Sequence, residues 1–206
     1  MLVTDRSLAG GADRLVDAVA AAVEAGVNTV QLREKDLDTH ALSALARRLR
    51  EASGGRALLI VNASADVVRE VVADGLHLPA DAPFARPAGQ SLVGRSVHSV
   101  ADAVLAEREG ADYVIAGPVY ETASHPGVPA AGLPLVSGVV AAVRVPVVAI
   151  GGITAARAPD VLSAGASGVA VISAILGAES PRDAASALSE VTQAVPLRAR
   201  RAAAER

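Results

Sequence analysis

Cysteine is absent from this chain and aromatic side chains are nearly so, with one Phe, two Tyr and no Trp in 206 residues. The first absence removes thiolate catalysis, disulfides and cysteine-rich metal sites. The second leaves no platform on which nucleobases could stack. No apolar run reaches the roughly 18 residues that a membrane span needs. A net charge of −3 gives nucleic acid no electrostatic reason to bind. Nucleic acid and membrane are therefore not expected as partners. The start Met1-Leu-Val-Thr-Asp5 has no basic leader, so a cytoplasmic location is expected.

What is present is an ordinary globular composition, 51% hydrophobic and 20% charged. Short β-branched runs alternate with alanine-rich amphipathic segments, the pattern of parallel strands joined by crossover helices. Strands are expected at Leu2–Thr4, Thr29–Arg33, Ala57–Asn62, Gly75–Leu78, Leu92–Ser96, Tyr113–Ala116, Val147–Ile150 and Gly168–Ile172. An internal echo, with Gly26, Gly110 and Gly165 each a few residues before a strand, marks a unit of helix, glycine stop and buried strand. The expectation is a minimal (β/α)8 TIM barrel, an α/β fold, in one domain over residues 1–195, with residues 196–206 a frayed basic tail. The apolar segment Val136 to Val145 offers a face for a homodimer.

Two strand ends near the C-terminus run into small residues. Val145 to Ile150 leads into Gly151-Gly152-Ile153, and Gly168 to Ile172 leads into Ser173. In such barrels the loops after strands seven and eight leave backbone N–H groups free for phosphate, so a small phosphorylated ligand is expected. The run Gln31-Leu-Arg-Glu-Lys-Asp36 places Gln31, Arg33 and Lys35 on one face by the period-two rule. They read as an anion clamp, the competing reading being that Arg33 pairs with a barrel carboxylate such as Asp5.

Ser96 and His98 end the fifth strand, and Ser99-Val-Ala-Asp102 resembles a helix start. His98 beside a helix N-terminus would stay neutral and could shuttle a proton, or it could merely brace the turn. His77 sits among apolar neighbours and is read as filling the barrel. Asn62 can position a ligand but supplies no charge for Mg2+, and Ala63 supplies nothing. The loop after Ala116 presents Glu121, Thr122, Ser124 and His125 as a substrate collar. No imidazole stands at metal-ligand spacing with a second ligand.

Taken together, Leu2 to Arg6, Gln31 to Asp36, Asn62, Asp74 to Leu78, Ser96-Val-His98, Gly110 to Pro118, Val147 to Ile153 and Gly168 to Ile175 resemble the thiamin phosphate synthase superfamily, which includes thiazole tautomerases of the TenI type. The resemblance implies that Gly151, Gly152, Ile172 and Ser173 bind phosphate through their backbone. Gln31, Arg33, Lys35, Asn62, Ser96, Thr122 and Ser124 are expected to contact substrate from their places at strand ends and in the collar.

The synthase branch uses Mg2+ held by an Asp after the Asn and by another after the Gly-Val-His-Leu strand. Here Ala63 stands at the first place, Pro79-Ala-Asp-Ala82 covers the second, and His125 replaces a lysine. The expectation is therefore a tautomerase, an isomerase aromatising a carboxythiazole phosphate with His98 as acid and base and no cofactor. The alternatives are the synthase, with Mg2+, and a non-catalytic barrel that binds thiazole or thiamin phosphate.

Overall fold

The computed structural model describes residues 1–87, 92–122, 127 and 129–195. Its eight strands form one parallel sheet in the order β1 to β8, and with helices in the crossovers this is a (β/α)8 TIM barrel. The residues pack as two compact units, Met1–His77 with Ala85–Leu92 and Ile172–Ser189, and Leu78–Phe84 with Val93–Val171 and Glu190 onward.

The first unit runs β1 (Leu2–Val3), α1 (Arg6–Ala9), α2 (Ala12–Glu24), β2 (Thr29–Leu32), α3 (Thr39–Ser53), β3 (Leu58–Asn62), α4 (Ala65–Glu70) and most of β4 (Gly75–Leu78). Helix α2 buries Leu15, Ala18, Val19, Ala22 and Val23, the three-and-four spacing of a single apolar stripe. Helix α3 buries Leu42, Leu45, Ala46 and Leu49 in the same way, and the Asp38 carboxylate caps it by accepting from Ala41 N. Parallel register fixes which side chains share a face of the sheet. Val30, Leu32, Leu59, Val61 and Leu76 take one face, all buried. Gln31, Ile60 and Gly75 form a row on the other, and Asn62 and His77 pair one step further along it.

The second unit runs through β5 (Leu92–Val97), α5 (Val100–Glu109), β6 (Tyr113–Ala116), α6 (Gly132–Ala142), β7 (Val147–Ile150), α7 (Ala158–Ser163) and β8 (Gly168–Ala170). Val97, Val114, Ala116 and Val147 point outward and pack with Ala103, Ala106, Val139 and Val143 of the α5 and α6 segments. Ser96, Ile115, Val148 and Gly168 form the opposite row. Two further helices follow in the chain, α8 (Ser173–Leu176) and α9 (Pro181–Ala194), which up to Ser189 belong to the first unit.

All eight expected strands are present, with small shifts at their ends. β5 runs one residue further, to Val97, while β8 stops at Ala170 because Ile172 already leaves extended geometry as the residue before α8. The echo glycines Gly26, Gly110 and Gly165 all adopt left-handed backbone, φ 106, 101 and 101, a conformation that stops a helix at no steric cost. Between β4 and β5 no helix forms among the described residues, in keeping with the long loop read from Pro79 to Pro87. Residues 196–206 lie outside the described residues.

Candidate active site

In a barrel of this class chemistry belongs at the C-terminal strand ends. In the first unit those ends carry Arg33, Asn62 and His77. Leu32 pairs with Val61, so Arg33 stands level with Asn62, and Asn62 pairs with His77. Beneath Arg33, on the same face, lies Gln31, only 2% exposed, whose Nε2 has no hydrogen-bond partner among the described residues. A buried amide nitrogen left without an acceptor costs free energy, which a ligand oxygen would recover. His77 is also 2% exposed. Burial first, and then the charge of Arg33, push its imidazole down to about 3, so it is neutral at physiological pH.

The charges of the Arg33 to Asp36 run sort themselves through a residue 28 positions upstream. Arg6 Nη1 donates to Glu34 Oε2 at 3.1 Å, and its backbone N–H also reaches the Glu34 carboxylate. Its guanidinium grips Asp36 in a fork, at 2.6 Å and 2.5 Å. That grip holds the Asp36 carboxyl down to about 2. With both acids engaged, the Arg33 guanidinium and the Lys35 ammonium have no ion-pair partner among the described residues. Asp5 accepts instead from Leu8 N at 3.0 Å, so the competing reading of Arg33 as Asp5's partner is corrected. The shared face ends at Arg33, whose N–H donates to the Thr4 hydroxyl at 2.9 Å. Lys35 lies beyond the strand, exposed in a turn, and the period-two rule does not extend to it.

In the second unit Ser96 is half-buried on the barrel-facing side of β5, and His98 follows it on the same side. Ser99 caps α5 by accepting from Asp102 N at 3.1 Å, as its sequence suggests. His98 Nδ1 lies 2.6 Å from the Gly117 carbonyl oxygen, and Asp102 Oδ2 accepts from His98 N at 3.2 Å. Gly151 and Gly152 end β7 with φ 107 and 60. A Cβ on Gly152 would meet Glu121 O at 2.5 Å, and one on Gly151 would meet Pro118 Cα at 2.7 Å. Only glycine allows the β6 loop to lie this close. Val119 N and Tyr120 N donate to Ile150 O and Gly151 O. Arg157 stacks on the Tyr120 ring at 4.8 Å and donates to Gly152 O.

Ile172 and Ser173 open α8, and Thr122 is half-buried in the β6 loop. Ser124 and His125 lie outside the described residues. Thr4, Arg6, Tyr120 and Arg157 were not foreseen as site residues. The charge count gives no signal for Arg6, because Arg6, Arg33 and Lys35 balance Asp5, Glu34 and Asp36.

Magnesium does not fit the residues present. The end of β3 offers an amide and a methyl group, Asn62 and Ala63, and no cluster of three His, Asp or Glu side chains suits a metal among the described residues. Asp81 is exposed and stands alone in its loop.

In the first unit the strand ends carry cations without an ion-pair partner among the described residues and an orphan amide, and in the second unit a double-glycine turn, features suited to anionic ligands. Comparison with known proteins narrows the class. The family described as thiamine monophosphate synthase, TMP-TENI, matches residues 1–175, and the chain belongs to it. It is 41% identical over 197 residues to the thiamine-phosphate synthase of Roseiflexus castenholzii, covering 92% of this chain and 86% of that one. With the thiamine-phosphate synthase of Methanoculleus marisnigri it shares 44% identity over 184 residues, covering 85% and 86%. The solved structure of thiamine phosphate pyrophosphorylase from Pyrococcus furiosus superposes with a TM-score of 0.83 at 36% identity, covering 94% of this chain and 95% of that one.

These relatives overturn the expectation of an isomerase. The lost carboxylates argued for the TenI branch, but chains similar along nearly their whole length carry the synthase name. No helix among the described residues is long and apolar enough to cross a membrane.

Proposed function

We propose that this chain is a transferase that joins a thiazole phosphate to a hydroxymethylpyrimidine pyrophosphate, making thiamin phosphate and releasing pyrophosphate. The observation that carries the reading is identity of about 40% with thiamine-phosphate synthases over most of both chains. The geometry of the first unit supports it. Arg33 and Lys35 are cations whose neighbouring acids are already engaged by Arg6, which is what a diphosphate leaving group requires.

In the reaction the thiazole ring nitrogen forms a bond to the pyrimidine methylene carbon, and the bond from that carbon to the diphosphate oxygen breaks with its electron pair. Negative charge grows on the leaving group, where Arg33 offers a planar fork and Lys35 a point charge. The buried Gln31 Nε2 donates to a ligand acceptor. Asn62 and the hydroxyls of Ser96, Thr122 and Ser124 position the two substrates. Backbone N–H groups of Gly151 and Gly152, and those of Ile172 and Ser173, are assigned to the thiazole phosphate. The displacement breaks no C–H bond, so the acid and base role of His98 falls with the isomerase reading. Its Nε2 remains as a hydrogen-bond acceptor.

The test is direct. Purified protein with thiazole phosphate and pyrimidine pyrophosphate should release pyrophosphate and form thiamin phosphate far above the protein-free rate. Absence of both products would remove the reading.

A further inference from the structure

We propose that this chain meets the charge of a diphosphate with Arg33 and Lys35 and without a divalent cation held by its own carboxylates. The proposal rests on the transferase reading above. Mg2+ demands near-octahedral oxygen ligands and is ordinarily held through one or two protein carboxylates plus substrate phosphates. The strand end where such a carboxylate would stand carries Ala63.

The backbone shows that the change is confined to the side chain. Ala63 sits at φ 61, the left-handed region that aspartate and asparagine enter more readily than other non-glycine residues. Ser64 caps α4 immediately afterwards and Ala63 N donates to His77 O, so the turn is held from both sides. The local fold would accept an aspartate at less cost than the alanine it holds. What is missing is the charge.

Electrostatic arithmetic explains how a charge pair can be lost as a set. Two carboxylates and one Mg2+ sum to zero, so removing all three leaves the net charge of a site unchanged. Removing the carboxylates alone would strand the ion. Among the described residues the cations that remain have no ion-pair partner, because Arg6 takes both Glu34 and Asp36. The half-buried Arg33 brings five N–H donors in a fixed fork suited to phosphate oxygens. Asp81 is a poor substitute ligand. The carbonyls on either side of it, Ala80 O and Ala82 O, both accept from Arg95 Nη2, so its loop is already organised around a guanidinium, itself paired with Glu109.

The test titrates the full-length protein with inorganic pyrophosphate by calorimetry, once in EDTA and once in Mg2+. In parallel, the free Mn2+ signal is followed by electron paramagnetic resonance against a protein-free control. Binding is expected in EDTA, changed less than about threefold by Mg2+ and weakened about tenfold or more by Arg33→Ala. No protein-dependent loss of the Mn2+ signal is expected in wild type, and such a loss should appear in Ala63→Asp, which restores a carboxylate at the end of β3. Binding that requires Mg2+, Mn2+ capture abolished by Asp81→Asn, or no pyrophosphate binding in either buffer would each overturn the proposal. Turnover separates it from the reading it rests on. Binding in EDTA without product formation sinks the transferase and spares the anion site, whereas turnover only with Mg2+ does the reverse.

Discussion

The Nδ1 atom of His98 lies 2.6 Å from the carbonyl oxygen of Gly117. A carbonyl can only accept, so Nδ1 carries a proton and, in the neutral ring, Nε2 is the bare nitrogen. Nitrogen-15 NMR of imidazole-labelled protein should show the neutral His98 ring as the Nδ1–H tautomer. A dominant Nε2–H signal would mean that the contact is not made in solution.

Arg6 touches no assigned substrate group, yet its removal should weaken anion binding. In Arg6→Gln, Glu34 and Asp36 lose their guanidinium partner and become available to Arg33 and Lys35. The expected result is a pyrophosphate Kd raised several-fold by calorimetry, with the α-helical circular dichroism retained. A Kd equal to wild type would show that the two acids do not compete for the site.

His77 makes stability depend on pH in a defined window. Its folded pKa of about 3 lies below the usual histidine value, so between the two the unfolded chain binds the extra proton. The neutral, buried ring therefore favours the fold fully above pH 6.5 or so. That contribution is lost progressively as pH falls toward 3, with a slope of about 1.4 kcal/mol per pH unit for this one group. Urea unfolding of His77→Gln across pH 4 to 7 should show a shallower slope than wild type, and parallel curves would exclude His77 as the source.

Gly94 and Tyr113 pair across β5 and β6, and the ring occupies the space above the glycine. A Cβ at Gly94 would lie 2.0 Å from Tyr113 Cζ and 2.4 Å from Cε2. Tyr113 is 8% exposed and cannot swing out freely. Gly94→Ala should cost about 1 to 3 kcal/mol by overpacking, read as a lowered urea midpoint. The double variant with Tyr113→Leu should recover part of that loss.

The barrel was readable because its strands are short β-branched runs and its helices stop at Gly26, Gly110 and Gly165, features that act locally. Gly151, Gly152, Asn62 and the Arg33 segment were recognisable for the same reason, since strand ends announce themselves by the residues that interrupt them. The partition of charge was not. Arg33, Glu34, Lys35 and Asp36 cancel when counted along the chain, and only the fold brings Arg6 to the two acids. Nor could composition show that Gln31 would be buried with a nitrogen unsatisfied, because that depends on the rows above and below it in the sheet. The choice of branch failed differently. Ala63, Pro79-Ala-Asp-Ala82 and His125 are a few side chains, whereas the identity of about 40% with thiamine-phosphate synthases is spread along most of both chains.

Because Val119 and Tyr120 hydrogen-bond to the end of β7 and Arg157 clamps the same turn, chain length is constrained between Ala116 and Glu121. Natural or engineered insertions between Ala116 and Glu121 are therefore expected to be disfavoured. An added residue upstream would slip the pairing by one position and turn the backbone N–H groups of Val119 and Tyr120 away from their acceptors.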